Sequence, residues 1–230
     1  MYPLIKLKIN IKEDIKNAKG FLSKGGVWLD WFLPDNLKYV SSKKFTQKER
    51  ENIIDEYTKH IHTLHKKKIE EGVAKISKQW DAKQKRFYII CDKLFKKHIW
   101  PKGKYIGYAS IYNMYPRIIR DKTFFFSYNT EHKYNPLATI AHEMLHFIFF
   151  DFIHKKYGLK ETSMIKGESK KYLWQVSEVF NNVIETWGPY NRIFKTSGKP
   201  YPGTERMFVK MKNDWKKLND VDILLDKWLK

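Results

Sequence analysis

The sequence has one cysteine, few arginines and no long apolar run, and each scarcity excludes a class of protein. Cys91 alone cannot form the internal disulfide framework of small secreted domains, so a reducing compartment is expected. Its apolar neighbours, Tyr88 to Ile90, favour a buried thiol over a nucleophile. The apolar run around Phe147 to Phe150 is too short to span a bilayer, and the first ten residues lack the apolar stretch of a signal peptide. The sequence therefore predicts a soluble, cytoplasmic protein that has no membrane partner.

The charge of the chain is strongly one-sided, with 45 Lys and Arg against 25 Asp and Glu and a formal net charge of +20. A clustered basic face binds phosphates by releasing counterions, so the charge first suggests a nucleic-acid partner. The lysines, however, are spread along the whole chain. The residue that bidentate phosphate recognition prefers occurs only at Arg50, Arg86, Arg117, Arg120, Arg192 and Arg206. Solvated lysine faces are therefore favoured, and a nucleic-acid partner stays an alternative.

Residues 1–100 have a mainly helical pattern. Ile5 to Ile11 alternate with polar residues as a short strand does, and Thr46 with Glu49 forms a capping box that opens a helical region extending to Leu94. Gly72 is a candidate break in that region. Between Gly20 and Ser42 the pattern is weak, and three residues are expected to pack in it: Trp28, Trp31 and Phe32.

After Pro101 the pattern changes to strands. Tyr105 to Met114 and Thr123 to Tyr128 are β-branched or aromatic runs that flank a polar turn at Arg120 to Lys122, which predicts an antiparallel hairpin. Four helices are expected to follow: Asn135 to Tyr157, Ser169 to Trp187, Glu205 to Lys217 and Val221 to Leu229. The fold class is therefore α+β, mostly helical with a small antiparallel sheet, with an N-terminal region over 1–100 and a second domain over 101–230.

The segment His142-Glu143-Met144-Leu145-His146 has the spacing of a metal site. Residues four apart lie on one face of a helix, so His142 and His146 can present ring nitrogens to one ion. Glu143 falls beside that ion, where a general base must stand to take a proton from a metal-bound water. Apolar residues from Leu137 to Phe150 surround these three side chains on nearly every face, so the helix is expected to be buried. Buried imidazoles and a buried carboxylate are costly unless a cation compensates them, and neutral imidazoles suit zinc.

A third ligand must come from elsewhere, since His154 lies too far along the same helix. The best candidate is Glu178, which stands among large apolar residues of the next helix. Asn182 follows it by one turn and is a candidate partner for the second ring nitrogen of a histidine ligand. Two other carboxylates are rival ligands: Glu168 and Glu185.

With these residues the chain resembles the gluzincins, the thermolysin-like zinc peptidases, and is most similar to their minimal members. In that group a His-Glu-x-x-His helix is followed by a helix whose Glu is the third ligand. The similarity covers about 105–187, with two departures: Ser177 and Asn182 stand where the family has Asn and Asp. The resemblance implies a zincin-like fold, in which the sheet packs against the active-site helix and part of Lys75 to Lys97 forms a backing helix.

The resemblance also implies how a substrate is held. An extended peptide pairs with the edge strand, here Thr123 to Tyr128. A side chain that steadies the oxyanion follows the third ligand, and the nearest candidates are Tyr190 and Arg192. Asp151 is open to two interpretations from its position alone: it orients His146, or it is a solvated helix residue.

The expected function is a zinc-dependent metallopeptidase in which His142, His146 and Glu178 hold Zn²⁺ and Glu143 is the general base, with a peptide or protein as substrate. Two alternatives remain: a basic nucleic-acid-associated protein, and a non-catalytic scaffold with a zinc site. Residues 1–100 are open to three interpretations, as a separate domain, an inhibitory segment or part of the same core.

Overall fold

Helices dominate the structure, a computed structural model that describes residues 2–22, 32–42, 44–131, 135–196 and 198–230. The chain forms two compact units. The sheet unit consists of Leu4–Trp80 and Lys104–Ile140, and the helical unit of Met1–Pro3, Asp81–Gly103 and Ala141–Lys230. Each unit draws on both ranges expected from the sequence, and the division into 1–100 and 101–230 stays a prediction.

The sheet is mixed. Its strands are β1 (Ile5–Ile9), β2 (Tyr105–Ser110), β3 (Arg117–Ile118) and β4 (Thr123–Ser127), in the spatial order β1-β2-β4-β3. Strand β2 is parallel to both β1 and β4, and only β3 and β4 are antiparallel. The α+β class is confirmed, but the predicted antiparallel hairpin of β2 with β4 is wrong.

The chain leaves the sheet at the end of β2. The carboxylate of Asp14 accepts hydrogen bonds from the Ser110 hydroxyl (2.6 Å) and the Ile111 N–H (3.1 Å). The Ile111 donor is therefore unavailable to the sheet, and the chain leaves it. The polar turn, in which Lys122 has a φ of 52°, joins β3 to β4 instead. About a dozen residues then connect β2 to β4, which is enough for a parallel crossover.

Strand β4 is not an edge strand, in contrast to the expectation for Thr123 to Tyr128. It lies between β2 and β3, and β3 pairs with its first two residues. Its three phenylalanines, Phe124, Phe125 and Phe126, are buried and belong to the core.

Three helices and a 3-10 helix complete most of the sheet unit: α1 (Ile11–Leu22), the 3-10 helix (Asp35–Ser41), α2 (Gln47–Leu64) and α3 (Lys66–Leu94), whose second half belongs to the helical unit. The capping box of Thr46 and Glu49 is confirmed. The break between α2 and α3 falls at His65 rather than at Gly72. Gly72 lies inside α3, where a Cβ would clash with the backbone oxygen of Tyr128.

The core of the sheet unit includes a cluster of apolar side chains on α1, α2 and the segments beside them. Phe32 packs on this cluster, whereas Trp28 and Trp31 lie outside the described residues. A buried hydrogen bond joins α1 to α2, with 2.9 Å between His62 Nε2 and Asp14 Oδ2.

The helical unit is built on α4 (Pro136–Tyr157), α5 (Tyr172–Thr186), α6 (Gly188–Phe194), α7 (Glu205–Leu218) and α8 (Val221–Leu229), of which α4 begins in the sheet unit. Helix α5 packs against α6 and α7, and α7 packs against α8. Asn135 caps α4 by accepting the Leu137 N–H at 3.0 Å, and Gly158 ends it with a φ of 70°.

Helix α4 is long and apolar enough to cross a membrane by length and composition, and it is the one such helix among the described residues. However, 78% of its most apolar window is buried inside the structure. Buried core helices of globular proteins share this composition.

Candidate metal centre

Helix α4 places the two histidines of the motif one turn apart. His146 is fully buried, Glu143 is 6% exposed, and His142 is partly exposed. The rings of His142 and His146 meet edge to face with their centroids 4.8 Å apart. The burial expected from the apolar flanks of this helix is confirmed.

Helix α5 brings Glu178 to the same point. His142 Nε2 lies 3.1 Å from His146 Nε2 and 3.3 Å from Glu178 Oε2, and His146 Nε2 lies 3.5 Å from Glu178 Oε1. Glu178 is 2% exposed. Two ring nitrogens and a carboxylate therefore converge in a site that is closed to solvent on most sides.

These distances fit a tetrahedral metal ion. With zinc–ligand bonds of about 2.0–2.1 Å, the ligand atoms of a tetrahedral site lie about 3.3–3.4 Å apart, within the range of the three distances found here. Among the described residues, His142, His146 and Glu178 form the one group of at least three His, Cys, Asp or Glu side chains that could hold a metal. Three protein ligands with a fourth position for water or substrate is the catalytic arrangement of zinc.

A second carboxylate on α5 sets the orientation of His142. The Nδ1–H of His142 donates to Glu185 Oε1 at 2.7 Å. With its proton on Nδ1, the neutral ring offers the Nε2 lone pair to a metal. The expected partner, Asn182, instead donates to the backbone oxygen of Glu178 at 2.8 Å, because its amide lies one turn along the same helix.

The electrostatics of the centre favour a cation. Burial by itself lowers the pKa of His142, but hydrogen bonds with Glu178 and Glu185 outweigh burial and hold that pKa well above its ordinary value. Burial by itself raises the pKa of Glu178, but the rings of His146 and His142 hold that pKa well below its usual range. A metal ion bound here would displace the His142 proton, beside a Glu178 carboxylate whose lowered pKa keeps it ionised.

Asp151 does not orient His146. Its carboxylate lies 2.7 Å from His98 Nε2 and 2.7 Å from Lys155 Nζ. Five residues along a helix correspond to about 140° beyond one full turn, so Asp151 points away from the face that carries His146. The Asp151 side chain is 18% exposed and pairs with His98 and Lys155, so it is not a freely solvated residue either.

The remaining candidates have different environments. Glu168 is exposed and lies outside the ligand group. Tyr190 is fully buried, and no hydrogen-bond partner of its hydroxyl is found among the described residues. Burial, and then the Glu185 carboxylate, raises the pKa of Tyr190 well above its ordinary value, so its hydroxyl stays a donor. Arg192 is exposed on α6. The oxyanion role stays a prediction for Tyr190 and Arg192.

The sequence did not predict the roles of three residues of the centre. Glu185 orients His142, the Asn181 side chain donates to the backbone oxygen of His142 at 2.9 Å, and the Thr196 hydroxyl donates to Glu185 at 3.1 Å. For Glu185 a signal existed, because residues seven apart share a helix face and place it above Glu178. For Thr196 no sequence signal exists, since it lies beyond α6.

Comparison of the chain with protein-family models, with curated proteins and with solved structures gives no match. The gluzincin resemblance therefore rests on the sequence motif and on the helix that follows it.

Proposed function

We propose that the chain is a zinc-dependent metallopeptidase whose metal ligands are His142, His146 and Glu178. The observation that carries the proposal is the convergence of these three side chains at tetrahedral spacing within a largely buried pocket. A carboxylate next to the first histidine supplies the base that hydrolysis needs. The choice of a peptide as substrate comes from the gluzincin resemblance.

Each residue of the centre has a separate task. His142, His146 and Glu178 hold the ion, and Glu185 keeps the Nε2 lone pair of His142 directed at it. When bound, zinc supplies an activated water and polarises the scissile carbonyl. Glu143 takes a proton from the attacking water and delivers it to the leaving amine. Its carboxylate is close enough to raise the pKa of His142, and it is shielded from solvent.

Two variants test this assignment. Purified protein is expected to contain about one zinc per chain, because the three ligands form one site. Glu143→Gln is expected to keep the zinc and to lower kcat on a quenched fluorescent peptide library by about 10²–10⁴-fold, the usual contribution of a general base. Glu168→Gln removes a carboxylate outside the site and serves as the matched control.

Three results would contradict the proposal. A folded preparation without zinc removes the metal site. If the protein contains zinc but cleaves no peptide in the library, the peptidase activity is contradicted and a zinc-binding scaffold is favoured. Equal activity of Glu143→Gln and wild type removes the general base.

A further inference from the structure

The carboxylate that orients His142 is itself held from a second direction. Glu185 uses Oε1 to accept from His142 Nδ1 at 2.7 Å and Oε2 to accept from the Thr196 hydroxyl at 3.1 Å. Glu185 is 6% exposed, so water does not readily replace either partner. Each oxygen of this carboxylate therefore has a fixed hydrogen-bond donor.

The direction of the Thr196 hydroxyl is determined by its surroundings. The N–H of Gly198 donates to Thr196 Oγ1 at 3.4 Å, so the hydroxyl accepts on that side and donates to Glu185 on the other. The side-chain amide of Asn191 donates to the backbone oxygens of both Glu185 and Thr196. Thr196 is thus attached to the end of α5 by its backbone as well as by its side chain.

Gly198 allows this attachment. A Cβ at Gly198 would clash with the backbone oxygen of Asn182 and with the Thr186 side chain, and the residue has a φ of 57° that favours glycine. The chain after α6 therefore approaches the ligand-bearing helix α5 so closely that only glycine fits at this position.

We propose that Thr196 is a positioning residue of the metal centre, which sets zinc affinity by holding Glu185 in the orientation that directs the Nε2 atom of His142 at the ion. The proposal rests on the metal site of the proposed function, but it does not depend on the reaction catalysed there. Outer partners of metal ligands typically change metal affinity by about 10- to 100-fold when they are removed. Thr196 acts through Glu185, so an effect at the low end, about tenfold, is expected.

The test measures zinc affinity of the full chain by competition with a chromophoric chelator. Thr196→Val removes the hydroxyl but keeps the shape, and is expected to weaken zinc binding about tenfold, whereas Thr196→Ser restores it to within about twofold of wild type. Thr186→Val is the matched control, because that half-buried hydroxyl donates, among the described residues, to the Val183 backbone oxygen within α5 and not to Glu185. Thr196→Ala provides a second variant if the valine disturbs folding, which far-UV circular dichroism reports.

A double-mutant cycle separates positioning from general destabilisation. In a Glu185→Ala background the acceptor of the Thr196 hydroxyl is gone, so Thr196→Val is expected to have no further effect on zinc affinity. Equal zinc affinity of Thr196→Val and wild type overturns the proposal, as does an equal loss in Thr186→Val or an additive double variant. If wild type binds no zinc, the proposed metal site fails together with this proposal. Zinc binding that depends on Thr196 in a protein that cleaves no peptide supports the proposal and removes only the peptidase activity.

Discussion

Replacement of Glu185 by Gln tests the orientation of His142 directly. The His142 and Glu185 side chains are 16% and 9% exposed, and 2.7 Å separates His142 Nδ1 from Glu185 Oε1. A hydrogen bond to a charged partner contributes about 1.5–3 kcal/mol, and most of this free energy is lost when the partner becomes neutral. At about 1.4 kcal/mol per factor of ten, zinc affinity is expected to fall by about 10- to 100-fold.

The assay is a competition titration of metal-free protein against a zinc chelator of known affinity. Glu168→Gln makes the same chemical change on an exposed residue and is expected to bind zinc as wild type does. The three metal ligands remain in both variants, so the zinc content at saturation stays at one per chain. Unchanged zinc affinity in Glu185→Gln would refute the reasoning, because His142 would then need no partner to direct its Nε2 atom.

Three further predictions concern the rest of the fold. Burial raises the pKa of the Cys91 thiol well above its ordinary value, so a chromogenic disulfide reagent is expected to label it only in denaturant. Hydrogen bonds from Lys156 and Lys96 hold the pKa of Asp222 below its usual range. The Asp222 carboxylate therefore stabilises the folded protein by up to about 1 kcal/mol at pH values above the ordinary carboxyl pKa. This stabilisation is lost as the pH falls through the lowered pKa. Asp222→Asn is therefore expected to unfold more easily in urea at neutral pH, but not in strong acid. Gly72→Ala is expected to lower the free energy of unfolding in urea by about 1–3 kcal/mol, since the added Cβ meets the Tyr128 backbone. In Gly20→Ala the added Cβ meets no other atom, and the free energy of unfolding is expected to rise by up to about 1 kcal/mol.

Each of these predictions has a clear contrary outcome. Rapid labelling of native Cys91 would mean that its thiol is accessible. An equal effect of Asp222→Asn at neutral and strongly acidic pH would remove the ion pairs as its cause. Equal stability changes in the two glycine variants would show that the Tyr128 backbone moves away without cost.

Local patterns predicted the helices whose signals are local, whereas α1 and α6 were not predicted. Thr46 and Glu49, only three residues apart, satisfy each other's backbone donors, and Val221 to Leu229 forms α8 with the bounds that its pattern indicates. The motif of α4 has the same origin, since helical spacing alone puts His142 and His146 on one face. These features depend on residues that lie within a few positions of each other.

Features that depend on distant residues were not predictable in the same way. The β2 strand ends at Ser110 because Asp14, from a helix far away in sequence, takes the next backbone donor. The partner of His142 is Glu185 rather than Asn182, whose side-chain nitrogen donates to the Glu178 backbone oxygen. Packing decides whether a group bonds to a near or to a distant partner, and the spacing of residues in the sequence does not reveal that packing.

The central claim is that His142, His146 and Glu178 hold one catalytic zinc ion, and X-ray data collected on both sides of the zinc absorption edge test it most directly. We expect a single anomalous peak about 2.0–2.2 Å from both Nε2 atoms and from a Glu178 oxygen, with no fourth protein ligand. A peak elsewhere in the chain, no peak in crystals of protein purified with zinc, or a fourth protein ligand that closes the site would contradict it.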